Sequence, residues 1–205
     1  GAINAAIAML GGPVEVVQAY GYGGAIYQQM YADLERDLRY YRPHFVALHM
    51  FENDMTSNPA TTGASLAQML GWARQCARLC LSYGATPIVY SSMPYYNGAV
   101  GVPASRAADY DALSDYVGSG TSGQLSKDVP GAIGDNSVSW AWTDPAYMND
   151  AAFPRRPLPG WTDGVHPNTN KRFAVGLIAA PVLKAILPAP ESRLDYVITP
   201  RETSA

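Results

Sequence analysis

Asp163 and His166 stand three residues apart in Asp163-Gly164-Val165-His166-Pro167-Asn168, between a proline- and glycine-rich loop and an apolar helical segment. A carboxylate so placed can fix one imidazole tautomer and leave the other ring nitrogen to take a proton. That is two thirds of a nucleophile, base and orienter arrangement. The stretch also has a purely structural reading, because Asp-Gly is common turn chemistry and Asn168 is an ordinary helix N-cap. Two further polar segments bear on the choice. Tyr20-Gly21-Tyr22-Gly23-Gly24 offers backbone N–H groups that can approach a reacting oxygen with no Cβ in the way. Phe51-Glu52-Asn53-Asp54 offers a side-chain amide N–H. Together they could supply two donors to an oxyanion, each of a kind that contributes about 3 kcal/mol in a transition state. Alone, the glycines read equally well as a tight strand-to-helix turn, and Asn53-Asp54 as an N-terminal cap of the next element.

The elements that must position these residues alternate. Val14 to Ala19 reads as a strand, Ile26 to Tyr40 as an amphipathic helix with Ile26, Met30, Leu34 and Leu38 on one face, and Phe45 to Met50 as a second strand. A long helix follows from about Ala64 to Tyr83, with Gly84 as its C-cap, then a strand at Pro87 to Tyr90 that exits through Ser91-Ser92-Met93-Pro94. Alternation of this kind predicts an α/β fold with a parallel sheet and helices on both faces. Ligands of such sheets bind beyond the carboxyl ends of the strands, and the glycine turn and the Asn53 segment both follow predicted strands.

Beyond Tyr95 the pattern loosens into glycine-rich loops, with a short helix expected over Ala104 to Tyr116 and a last strand near Val138 to Trp142. Gly134-Asp135-Asn136-Ser137 reads as a turn, His49 as a satisfied core residue, and Cys76 and Cys80 as core residues on one helix face. Ala2 to Leu10 reads as the end of a helix, and Lys171 to Leu187 as a closing helix that Pro181 kinks or divides. Residues 1–187 are thus expected to form one domain, and residues 188–205 a tail or linker.

Composition removes several classes of function. With 205 residues, 48% hydrophobic and 15% charged, the chain has an ordinary core under a weakly charged surface. A net charge of -3 without a basic stripe argues against a nucleic-acid partner. No apolar run approaches the roughly 18 residues of a membrane span. Neither cysteine has a partner at zinc-site spacing, and the glycine turn lacks full GxGxxG spacing and a P-loop lysine. The opening residues Gly1 to Ala6 carry no recognisable leader, and compartment stays open, with a secreted assembly among the options.

Taken in order, the polar segments resemble the SGNH (GDSL-type) hydrolases, a flavodoxin-like α/β group of esterases and lipases. Val16 to Gly24 resembles the family's second block, Phe51-Glu52-Asn53-Asp54 its third, and Asp163-Gly164-Val165-His166 its fifth, over about residues 2 to 187. The resemblance implies that His166 is the catalytic base, Asp163 its orienter, and Gly23 and Asn53 the oxyanion donors. It implies an ester substrate, O-acetyl or another short acyl group on carbohydrate, and no metal or cofactor. Phe51 departs from the family's glycine. The first block, a strand followed by Gly-Asp-Ser, has no counterpart here. The nucleophile is therefore expected from an upstream segment or a partner chain, which would also supply the central strand. The competing reading is an inactive SGNH-like module that binds carbohydrate or has a structural role.

Overall fold

The computed structural model describes residues 26–49, 53–54, 63–91, 106–136, 181 and 184–185. It begins with α1 (Tyr27–Tyr41), which ends at Arg42 in the left-handed region, φ 45°, just before Pro43. Strand β1 (Phe45–His49) follows, then α2 (Leu66–Ser82) and β2 (Thr86–Tyr90). The chain continues through α3 (Ala107–Val117), β3 (Ser119–Gly120), α4 (Gln124–Asp128) and β4 (Ile133–Asp135). The sheet order is β1-β2-β4-β3. β1 with β2 and β2 with β4 are parallel, and the two-residue β3 runs antiparallel to β4. The fold is therefore α/β with a parallel-dominated mixed sheet.

Helix α2 organises the interior because its sequence marks both ends and one face. Ser65 accepts from the Gln68 N–H at 3.3 Å, and the Gln68 side chain accepts from the Ser65 N–H at 2.8 Å, a reciprocal capping box. At the far end Gly84, at φ 78°, donates to Leu81 O and Ala85 donates to Cys80 O, both at 3.0 Å. A glycine takes that left-handed position without a Cβ penalty, and the two bonds satisfy carbonyls the helix leaves open. Between the caps, Met69, Ala73, Cys76, Ala77 and Cys80 form a stripe at most 1% exposed. The free thiols thus pack as core residues, and burial pushes both upward in pKa, Cys80 to about 12. Leu38 of α1, Leu113 of α3 and Leu125 of α4 belong to the same cluster, so the described helices share one apolar interior.

The strands differ in how well they are covered. Pro87 to Tyr90 of β2 are all buried, as a central parallel strand requires. In β1 only Leu48 is buried, Ala47 is exposed, and His49 is half-buried rather than a core residue. Among the described residues β1 pairs with β2 alone.

Several sequence expectations change here. Gly134 and Asp135 lie in β4, not in a turn, and β3 pairs within a stretch expected to be loop. The strand expected at Val14 to Ala19, the one near Val138 to Trp142, and the helix at Ala2 to Leu10 fall outside the described residues. So does most of the closing helix, of which Pro181, Lys184 and Ala185 are helical.

β4 reaches its place through glycine contacts. A Cβ on Gly134 would lie 1.8 Å from Val117 O, and one on Gly123 would lie 2.3 Å from the same oxygen. Gly134→Ala should therefore cost at least about 3 kcal/mol, since backbone rather than a flexible side chain has to move. Gly71, inside α2 with only Arg74 Nη2 at 4.0 Å, provides the contrast. Gly71→Ala should stabilise by about 1 kcal/mol. Urea unfolding of both variants checks the pair, and equal effects would remove the packing argument.

Candidate functional site

Each parallel crossover brings a helix back to begin at the edge where the strands end, so the helix N-termini collect there. At this edge the chain leaves β1 and makes a helical turn at Asn53 and Asp54. Asn53 is half-buried and Asp54 is 7% exposed. The Asp54 carboxylate accepts the Tyr27 N–H, at 3.1 Å to Oδ1 and 3.0 Å to Oδ2. Tyr27 is the first residue of α1, so its N–H is one the helix cannot satisfy internally. The residue before it, Ile26, supplies no capping side chain, and an acceptor 27 positions along the chain takes that role.

The bonds continue outward from Asp54. Its carbonyl accepts the Ala64 N–H at 3.1 Å, and the Ala64 carbonyl accepts from Arg106 Nη2 at 2.5 Å. Arg106, the N-cap residue of α3, also pairs with Asp109 at 2.7 Å. On α1 the Tyr27 ring stacks on Trp72 of α2 at 4.4 Å between centroids and 5° between planes, and its hydroxyl donates to Gln75. The start of α1, the residue leading into the cap of α2 and the N-cap of α3 are thereby linked to the residue next to Asn53.

A second polar group lies deeper along the same edge. Tyr90 and Asp135 are register partners at the ends of β2 and β4, 3% and 0% exposed. The Ser91 N–H donates to the Asp135 carbonyl at 3.1 Å. Burial, then the Asp135 charge, pushes the Tyr90 phenol up, so it stays protonated. Asn136 donates to Gly118 O at 2.9 Å and, through Nδ2, to Ser114 O at 3.1 Å, tying the end of β4 to the end of α3. Ser91, 1% exposed, is too enclosed to serve as an accessible nucleophile.

Of the four residues the sequence selects, Asn53 is placed at the strand-end edge. Gly23, Asp163 and His166 lie outside the described residues. Sequence reasoning read Asp54 only as a cap for the element after it and passed over Arg106. The available signal for Asp54 was an acidic residue beside Asn53 paired with a helix that opens on Ile26, which has no capping group. Nothing in the spacing announces Arg106. Among the described residues no cluster of three His, Cys, Asp or Glu could hold a metal ion, and no helix is long and apolar enough to cross a membrane.

The fold is shared with ester hydrolases of known structure. A GDSL-like lipase from Bacteroides thetaiotaomicron aligns with a TM-score of 0.55 and 16% identity over 80% of this chain and 73% of its own. A protein from Bacteroides fragilis proposed to be an acylhydrolase aligns at 0.53 and 18%, over 80% and 73%. A catalytic mutant of an acetylxylan esterase from Geobacillus stearothermophilus aligns at 0.53 and 15%, over 81% and 69%. These similarities place the chain in an SGNH-like fold at low sequence identity. No family profile and no curated protein sequence matches it.

Burial, the largest influence on Asp54, raises its carboxyl above the ordinary value of 3.8, against the lowering effect of the Tyr27 N–H. The folded state then holds that proton more tightly than the unfolded chain. The group's contribution to stability is full below about pH 3.8 and is lost as pH rises through the higher folded value. Asp54→Asn keeps an acceptor oxygen and has no charge to bury. Its unfolding free energy relative to wild type should therefore improve from pH 3.5 to neutrality, as read by urea unfolding at stepped pH. A relative loss over that range would contradict the assignment.

Proposed function

We propose that the chain carries the acid–base and oxyanion parts of an SGNH-type serine esterase acting on O-acetyl or other short acyl esters of carbohydrate. The observation that carries the reading is the position of Asn53. It stands at the carboxyl end of a parallel strand, beside a carboxylate that fastens the helix following Gly23. The fold shared with an acetylxylan esterase supports the substrate class.

In this mechanism His166 takes the proton from the attacking serine hydroxyl and returns it to the leaving alcohol. Asp163 holds the imidazole tautomer and stabilises the imidazolium. The Gly23 N–H and the Asn53 side-chain amide bind the oxygen that becomes negative as the carbonyl turns tetrahedral. The serine arrives at the end of a strand parallel to β1, contributed by a segment outside residues 1–205. That strand would pair with β1 on the side away from β2 and end beside Asn53, because parallel strands finish at the same edge. Metal and cofactor have no part in these steps.

A fluorophosphonate probe reports a serine activated by a neighbouring base. Labelling of the purified protein, together with the upstream segment or partner chain that supplies the strand, followed by peptide mapping, should identify one serine whose labelling disappears in His166→Ala. In the active protein Asn53→Ala should lower kcat by about 100- to 1,000-fold with KM little changed. A well-folded preparation of this kind that takes no label would sink the esterase reading and leave the inactive carbohydrate-binding or structural module.

A further inference from the structure

We propose that Asp54 is the positioning residue of the oxyanion hole. Its carboxylate ties the N-terminus of α1, which Gly23 precedes by four residues in the chain, to the segment that bears Asn53. The inference rests on the assignment of Gly23 and Asn53 as oxyanion donors and adds the element that keeps them together.

Two donors that share one oxygen have to converge within about 0.5 Å of the productive geometry. Gly23 and Asn53 are 30 residues apart in the chain (53 − 23 = 30), so covalent connection imposes no such convergence. A much shorter route runs through Asp54. The residue adjoining Asn53 accepts the N–H of Tyr27 through both carboxylate oxygens. Tyr27 lies four positions after Gly23, a reach of at most about 14 Å. Asp54 is held from the other side, since its carbonyl accepts the Ala64 N–H, and Arg106 in turn holds the Ala64 carbonyl. The clamp can therefore transmit position rather than swing with a loose loop.

Helix capping alone would not call for this arrangement. An N-terminal N–H is most simply satisfied by Ser, Thr, Asp or Asn at the cap position. The cap position here holds Ile26, with no side-chain hydrogen bond, and the acceptor comes from the segment that bears Asn53. A local cap would stabilise α1 equally well and would tie it to nothing. The remote acceptor does what a local one cannot, joining the start of α1 to the segment that bears Asn53.

The test separates a cap from a clamp. Asp54→Ala, Asp54→Ala with Ile26→Asp, and Asp54→Asn are compared with wild type in the same preparation. Three properties are read: Tm, the 15N–1H signals of the Gly23 amide and the Asn53 side chain, and kcat and KM for p-nitrophenyl acetate. Asp54→Ala should lower Tm, displace both signals and reduce kcat by about 100-fold with KM within about threefold, the pattern of misplaced reacting geometry. Adding Ile26→Asp should restore Tm but neither the signals nor kcat, whereas Asp54→Asn, with one acceptor oxygen kept, should retain both signals. Recovery of signals and kcat together with Tm in the double variant would reduce Asp54 to a helix cap and overturn the proposal. Unmoved Gly23 and Asn53 signals in Asp54→Ala would overturn it as well. If the signals respond as expected but the wild type hydrolyses no ester, the clamp stands and the esterase reading falls.

Discussion

A parallel strand cannot turn straight back on itself, and that restriction arranges this molecule. Each crossover must carry the chain the full length of the sheet, which it does most economically as a helix. The strands β1, β2 and β4 then end at one edge, where α1 and α2 begin and the antiparallel β3 starts. That edge collects the unsatisfied N–H groups of these helix N-termini and the loops from the strand ends. Polar chemistry gathers there because backbone donors already point at it. Asn53, Asp54, Ser91 and Asn136 all lie just past the ends of β1, β2 and β4. The opposite ends of the helices are closed by other means, Arg42 and Gly84 in left-handed conformations.

The interior shows how rigid that edge can be made. The buried stripe of α2 is built of small and flexible side chains, Ala73, Cys76, Ala77, Cys80 and Met69, which let neighbouring elements approach closely. On the far side of the sheet order, Gly118, Gly123 and Gly134 do the same with backbone against backbone. Between helices the fastening is polar. Tyr116 donates to Asp128 at 2.8 Å, and Arg74 reaches the same carboxylate at 3.4 Å, so α2, α3 and α4 meet on one acidic group. Those contacts are partly exposed and contribute little individually. Their value is in fixing the angle at which buried faces meet.

What was legible in the sequence was what local chemistry dictates. The four-residue recurrence of Ile26, Met30, Leu34 and Leu38 and the Gly84 stop mark helices that form where the pattern puts them, the first within a residue at both ends and the second ending within a residue of Tyr83. The strand signals at Phe45 and Pro87 are apolar runs between such helices, and they too form in place. What was not legible depends on partners distant in sequence. Ile133-Gly134-Asp135 has a turn's composition, and only the seat against Val117 and the pairing with β2 make it a strand. Asp54 reads as a cap for whatever follows it, but tertiary placement turns its carboxylate back by 27 residues to Tyr27. At the candidate site Asn53 could be picked out through the resemblance of its segment to the family's third block, since alone it reads equally well as a cap. The carboxylate beside it could not, because capping is what an aspartate most often does.

The energetics of Asp54 argue that this carboxylate is retained for geometry. Removing a carboxylate from water costs several kcal/mol even after relaxation. Against that stand a charge-assisted bond to the Tyr27 N–H, about 1.5–3 kcal/mol, and the favourable field at the start of α1, up to about 2 kcal/mol when partly buried. The balance is near zero, and the raised carboxyl pKa shows desolvation as the larger influence on protonation. A neutral cap at position 26 would satisfy the helix with no charge to bury. Asp54 contributes a constraint of a different kind: two oxygens bracketing one N–H, on a residue held through its own carbonyl by Ala64. A group that adds little net stability yet fixes two remote segments to each other earns its place through what those segments have to do together.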